Sequence, residues 1–334
     1  MSLNRRAFLA SSVAAVAATP EPRPIRVAML GTQHSHFADK LRILQGAADF
    51  DVAGVCEPDA AVRRPTGVRS LSEEELLGDP SIRLVVVECK TWQAIPWGRK
   101  VIAAGKHLHL EKPPGDKLAP FRELVAEARR RKLLLQMGYV LRFNLGIQSA
   151  LDMAHRGDLG DVFQVRATMH TDIAPDRRGD LARYPGGIML ELGGHLIDRV
   201  VDLLGRPANV RSWLRHDSSL PDKLADNCVA ILEYPKTLAV ISCAARQAGA
   251  SQHRFLEIIG TDGSVLVQPL EPGVKVKVTT RKGGTSEGGA VPPVPRFVGD
   301  FAALARASRT GEPLRFSYDH ELLLHETLVR ACET

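Results

Sequence analysis

From residue 25 to about 141 the apolar positions change period repeatedly. Short apolar runs, "IRVAML", "FDVAGVC", "IRLVVVEC", "HLHLEK" and "LLLQMGYV", alternate with segments of helical spacing, "HFADKLRILQ", "IPWGRKVIAA" and "FRELVAEARRRK". The last of these puts Phe121, Leu124, Val125 and Ala128 on one stripe. "IRLVVVEC" is apolar almost without interruption, as a strand covered on both faces must be. Gly46 and Gly105 stop two helices, and Ser72 with Glu75 opens "SEEELL" as a capping box. Repeated β-α units predict a doubly wound parallel sheet with its ligand crevice at the C-terminal ends of the strands.

After Asn144, an N-cap, "LGIQSALDMAHRG" predicts one more helix, and then the pattern changes. "VFQVRATMH", "NVRSWLRH", "NCVAILEY", "TLAVISCAA", "RFLEIIG", "SVLVQ" and "VKVKVTT" are strand-like and separated by short turns such as "YPKT" and "GTDGS". Short connections favour antiparallel neighbours. "RKGGTSEGGAVPPVP" reads as a mobile Gly/Pro loop, and helices are expected near 297–309 and 319–332. The predicted class is therefore α/β. A Rossmann domain over 24–141 precedes an α+β substrate and oligomerisation domain over 142–334, built on a large, mostly antiparallel open sheet. The open face of that sheet offers a surface for a homo-oligomer.

Composition narrows the function. The chain has 334 residues, enough for two domains, with 44% hydrophobic and 25% charged residues, as in a soluble globular protein. The net charge of +6 is scattered, and no Lys/Arg run with interleaved aromatics points to nucleic acid. Arg129, Arg130 and Arg131 end a helix, where cations suit the dipole. At the N-terminus, Arg5 and Arg6 precede a short Ala-rich apolar run, too short to span a bilayer. This reads as a twin-arginine export signal over residues 1–19, sending the protein to the periplasm without a membrane anchor. Cys56, Cys89, Cys228 and Cys243 lie in apolar strand-like runs and read as buried free thiols.

Two stretches carry candidate chemistry. "AGKHLHLEKPPG" sets Glu111 and Lys112 at a strand end facing the crevice, before a rigid Pro113–Pro114 turn with room for a cis bond. An ammonium there can donate to a substrate hydroxyl. In "GGIMLELGGHLIDRVVDLLG", Glu191 and His195 are four apart on a helix, and Asp198 lies three further on. A His oriented by carboxylates is a natural acceptor for a hydroxyl proton. Gly193 and Gly194 inside that helix imply a close approach by a ring or a second backbone. Arg142 at the domain junction, Asp198, and Arg178 and Tyr184 in the loop "DIAPDRRGDLARYPGG" are candidate substrate-binding residues. A metal site built from His34, His36, His107 and His109 is not expected, because His107 opens its strand while His34 follows the far end of another.

The dinucleotide loop is the discordant element. "GTQHSH" keeps Gly31 but has Gln33 and His36 where a G-x-G-x-x-G fingerprint has its second and third glycines. Gly31, the following helix N-terminus and Glu57 in "VCEPD" remain, so the loop reads as a variant cofactor site in which Gln33 or His34 adds side-chain contacts.

Together these stretches resemble the Gfo/Idh/MocA family of NAD(P)-dependent oxidoreductases. "AGKHLHLEKPPG" is similar to the family's E-K-P strand end, "ELGGHLID" to its D-x-G-x-H-x-x-D helix, and "LRFNLGIQSALDMAHRGDLGDVFQVRA" to its domain junction. The resemblance implies that Lys112 is the catalytic lysine, His195 the acid-base histidine and Glu57 the ribose-binding acid. Glu191 stands where the family has Asp. A carboxylate at Glu57 favours NAD, while Arg63 and Arg64 keep NADP open. The implied reaction moves a hydride between a sugar, polyol or cyclitol-like substrate and nicotinamide, with Gly31, Gln33, His34, Glu57, Glu111 and Lys112 holding the cofactor. Two alternatives stay open: an NAD-dependent glycosidase working by transient oxidation and elimination, and a non-catalytic sugar-binding protein that has lost its cofactor.

Overall fold

A computed structural model describes residues 23–288, 291 and 294–333. The export signal read at 1–19 lies outside them. The first half builds a wholly parallel sheet from β1 (Ile25–Leu30), β2 (Phe50–Cys56), β3 (Leu84–Val87), β4 (His107–Leu110) and β5 (Leu135–Met137), in the order β2-β1-β3-β4-β5. Helices α1 (Phe37–Gly46), α2 (Glu73–Gly78), α3 (Thr91–Ala103) and α4 (Leu118–Arg130) make the crossovers. All four residues of β3 are buried, as its unbroken apolar run requires. The capping box forms: Ser72 accepts from Glu75 N–H and the Glu75 carboxylate accepts from Ser72 N–H. The strand order reverses between β1 and β3, which opens the crevice above their C-terminal ends.

The junction is a short 3-10 turn, Val140–Phe143, after which Asn144 caps α5 (Leu145–His155) by accepting from Ile147 N–H. Eight strands follow: β6 (Val162–Thr168), β7 (Asn209–Arg215), β8 (Asn227–Glu233), β9 (Leu238–Ala244), β10 (Phe255–Gly260), β11 (Gly263–Val267), β12 (Val276–Thr280) and β13 (Gly284–Glu287). Their order is β13-β12-β11-β10-β6-β9-β8-β7. Every pairing is antiparallel except β6 with β9, because the chain leaves β6 for a long helical excursion before returning. That excursion holds α6 (Pro175–Leu181), a π-turn at Met189–Gly193 and α7 (Gly194–Leu204); α8 (Val298–Thr310) and α9 (Tyr318–Ala331) close the chain.

Two expectations change here. The stretch read as the loop "DIAPDRRGDLARYPGG" contains α6, which starts with Pro175 in its first turn. The Gly-rich segment after β12 includes β13, a fully exposed edge strand whose polar "GTSE" has no apolar face to reveal it. The inner face of the larger sheet buries Val165, Ala230, Ile241, Ile258 and Val265 against the helices. Its outer face exposes Trp213 and Leu238 beside half-buried Val229, Ile231 and Val240. Cys56, Cys89, Cys228, Cys243 and Cys332 are all free and buried. Among the described residues no helix is long and apolar enough to cross a membrane.

Candidate active site

The loop after β1 and the acid after β2 meet where the sequence places them. Gly31 sits at φ 90°, and a Cβ there would lie 2.5 Å from the Glu88 carbonyl oxygen and 2.6 Å from the Trp97 ring, so only glycine fits this turn. Glu57 is buried at the end of β2 and accepts from Thr32 N–H (2.8 Å), Thr32 Oγ1 (3.0 Å) and Asp59 N–H (3.2 Å). Beside it lies a cavity of about 410 Å³ lined by Thr32, Val55, Ala60, Arg63 and Arg64. Arg63 donates to the Glu57 carbonyl and Arg64 to the Thr32 carbonyl, so both guanidinium groups are tied to backbone. These features fit the adenosine end of a dinucleotide. Gln33 and His34 face a different space, the main cleft, and the Gln33 N–H bonds the Glu88 carbonyl (3.3 Å).

That main cleft, about 410 Å³, lies between the two sheets. Lys112 reaches it from the end of β4, next to a cis Lys112–Pro113 bond. Its ammonium donates to Glu191 Oε1 (2.8 Å) and to the Glu191 carbonyl (3.2 Å). His195, on the first turns of α7, lines the same cleft, with Nδ1 buried and without a partner. Burial, and then the Lys112 charge, hold its pKa well below that of an ordinary imidazole. The ring stacks edge-on against Tyr139, 5.5 Å between centroids. Gly194 explains itself here: a Cβ would lie 2.9 Å from the Tyr139 ring. Lys112, Glu191 and His195 thus reach one cleft from opposite lobes.

Three other expectations are corrected. Arg142 and Asp198 are fully buried and do not line the cleft. Arg142 Nη2 bonds Asp198 Oδ1 (2.9 Å) and Glu321 Oε2 (2.7 Å), and Asp198 also accepts from Arg199 Nε (2.9 Å) and pairs with His320 Nε2 (2.8 Å). Their charges are consumed in joining the junction turn, α7 and α9, leaving none for a substrate. Arg178 is likewise spent on Asp222 (2.6 Å) and Asp226 (2.7 Å); its neighbours Asp176 and Arg177 line the cleft instead. Tyr184 does reach the cleft.

The sequence reading missed Trp92, Arg254 and Arg296 in the cleft wall. Trp92 lies in "KTWQA", between the runs read as a strand and a helix, and Arg254 and Arg296 lie outside any motif. Also missed was a buried trio: Lys40 of α1 salt-bridges both Glu88 and Glu111, at side-chain exposures of 0%, 0% and 2%. His107 points away, accepting from Leu134 N–H (3.0 Å), in line with its exclusion as a partner of His34.

A parallel sheet with a glycine turn at its switch point has the form of a dinucleotide-binding domain, with Lys112 just past the end of one of its strands and His195 facing it from the other lobe. Residues 25–139 match the oxidoreductase family with an NAD-binding Rossmann fold, and residues 147–266 match the GFO/IDH/MocA C-terminal domain. The chain belongs to the Gfo/Idh/MocA family, and NAD is the cofactor of its Rossmann domain. It is 28% identical over 272 residues to an uncharacterized oxidoreductase, C26H5.09c, of Schizosaccharomyces pombe, covering 75% of this chain and 72% of that one. It is 27% identical over 205 residues to the trans-1,2-dihydrobenzene-1,2-diol dehydrogenase of Bos taurus, 60% and 58% of the two chains. The crystal structure of GenD2 from gentamicin A biosynthesis, in complex with NAD, superposes with a TM-score of 0.79 at 24% identity, covering 92% of this chain and 93% of that one.

Proposed function

We propose that the protein oxidises, or in reverse forms, a secondary hydroxyl on a sugar, polyol or cyclitol ring. The observation that carries this is the meeting of Lys112 and His195, from opposite lobes, in one cleft that Asp172, Asp176, Asp180 and Arg177 also line. Such a rim suits a substrate rich in hydroxyl groups. The bovine relative, named for a ring diol, supports the same chemistry. NAD supplies the hydride acceptor when bound. Lys112 donates to the substrate oxygen and polarises the O–H bond. Neutral His195 takes the hydroxyl proton as the carbinol C–H leaves as hydride, and returns it in the reverse direction. Glu191 holds the ammonium in place through both its carboxylate and its carbonyl.

The test is NADH formation with a panel of sugars, polyols and inositols, followed against pH. A base must be unprotonated, so activity is lost as pH falls through its pKa. Because the His195 pKa is depressed, kcat/KM is expected to hold through pH 6.5 and fall only below it. An acidic limb at or above 6.5 would assign the base elsewhere.

One observation favours a glycosidase as a second reading. Beside the main cleft, and sharing Thr91, Trp92 and Tyr184 with it, lies a cavity walled by Ile95, Pro96, Pro114 and Pro120, a suitable berth for an aglycone. Release of free sugar from a glycoside without net NADH would select it.

A further inference from the structure

We propose that His34, His36 and Glu111 form a binding site for a divalent transition metal such as zinc or cobalt, opening into the main cleft. One ring nitrogen from each histidine and a Glu111 carboxylate oxygen all lie within 4.8 Å of one another. His36 Nδ1 is 3.2 Å and His34 Nδ1 3.7 Å from Glu111 Oε2. Both histidines line the cleft, whereas Glu111 is buried. Two imidazoles and one carboxylate are a common protein ligand set for such ions, with remaining coordination positions left for solvent or substrate.

The charges beneath the loop supply an independent reason. Lys40 contributes one positive charge, while Glu88 and Glu111 contribute two negative ones, all three side chains at 2% exposure or less. One negative charge is therefore left over in a place where isolated charge is costly. The leftover is visible as two buried carboxylate oxygens without partners, Glu111 Oε1 and Glu88 Oε2, the latter 3.6 Å from His34 Nδ1. A neutral imidazole, the form that ligates a metal, leaves that charge uncancelled. A cation at the His34–His36 edge does cancel it. Lys40 is compatible with this arrangement: an outer partner that bonds one lone pair of a ligating carboxylate fixes its direction.

The loop sequence acquires a reason in the same way. His36 replaces the third fingerprint glycine and turns inward to Glu111 rather than leaving the helix start bare. The histidine partner absent from the sequence reading was not a third His but the acid of "HLEKPP", brought beneath the loop by the parallel pairing of β3 with β4.

Binding is read without substrate or NAD, so the outcome is independent of the hydride-transfer proposal. The full chain is purified without chelator for elemental analysis, then stripped and titrated with Co2+, following visible absorption and calorimetric heat. One equivalent is expected, with d–d bands of a nitrogen and oxygen site. Affinity should fall by about tenfold or more in His36→Gln and in Glu111→Gln. It should be unchanged in His155→Gln, an exposed histidine on α5. Circular dichroism melts establish that each variant is folded. Substoichiometric cobalt in the wild-type protein overturns the proposal, as does equal affinity in folded His36→Gln and His155→Gln.

Discussion

Replacing His195 by Asn is expected to lower kcat by roughly 10²- to 10⁴-fold, the usual contribution of a positioned acid-base group. NAD affinity should change little. The residues around the adenosine cavity, Thr32, Glu57, Arg63 and Arg64, belong to the segments that follow β1 and β2, and among the described residues none of α7 lines that cavity. Asn retains a planar amide of similar width against the Tyr139 ring, so α7 and the Gly194 approach stay intact. The imidazole has no carboxylate partner among the described residues: Nδ1 is unpaired and Glu191 is occupied by Lys112. Its basicity is set by burial rather than by an orienting acid. Steady-state kinetics with cofactor titration in parallel checks this; kcat within a factor of a few of wild type would remove His195 from the chemistry.

Replacing Arg142 by Met should cost about 3–5 kcal/mol of stability, because it leaves Glu321 as a buried carboxylate without its cation and takes from Asp198 one of the two arginines that hold it. Burial alone would raise the Asp198 pKa, but Arg142 and then Arg199 and His320 hold it well below its ordinary value. A group with a depressed native pKa stabilises the fold above its unfolded pKa and loses that contribution as pH falls. The gap between wild type and Arg142→Met should therefore be full at neutral pH and shrink below pH 4, near the unfolded Asp value of about 3.9. Urea melts across that range measure it. KM of the folded variant is expected to stay near wild type, which separates a joint from a substrate contact; a large KM change with unchanged stability would restore the substrate role.

The contrast between Arg142 and Lys112 explains what the sequence could and could not convey. Lys112 lies one residue past Glu111 at the end of an apolar strand, and strand ends in a parallel sheet face the crevice by construction. No such rule governs Arg142. Its partners Asp198 and Glu321 stand 56 and 179 residues away, on helices whose packing no local period encodes. The doubly wound sheet was legible because its strands are buried on both faces. β13 and α6 were not, since one has no apolar face and the other is a short polar turn. The trio Lys40, Glu88 and Glu111 is the same kind of omission: Lys40 and Glu88 are ordinary charges in sequence, and they meet Glu111 only when Lys40 of α1 reaches the residues just past the ends of β3 and β4.

The π-turn at Met189–Gly193 sets the phase of what comes after it. Such a turn accommodates an extra residue within a helix, and each residue advances the helix by about 100°. Deleting one residue there would restore regular winding and swing the imidazole that begins α7 roughly a quarter-turn out of line with the ammonium across the gap. The oxidoreductase cleft is thus timed by a count of residues, and a family member that keeps its histidine but loses this one-residue excess would hold the right side chain at the wrong bearing.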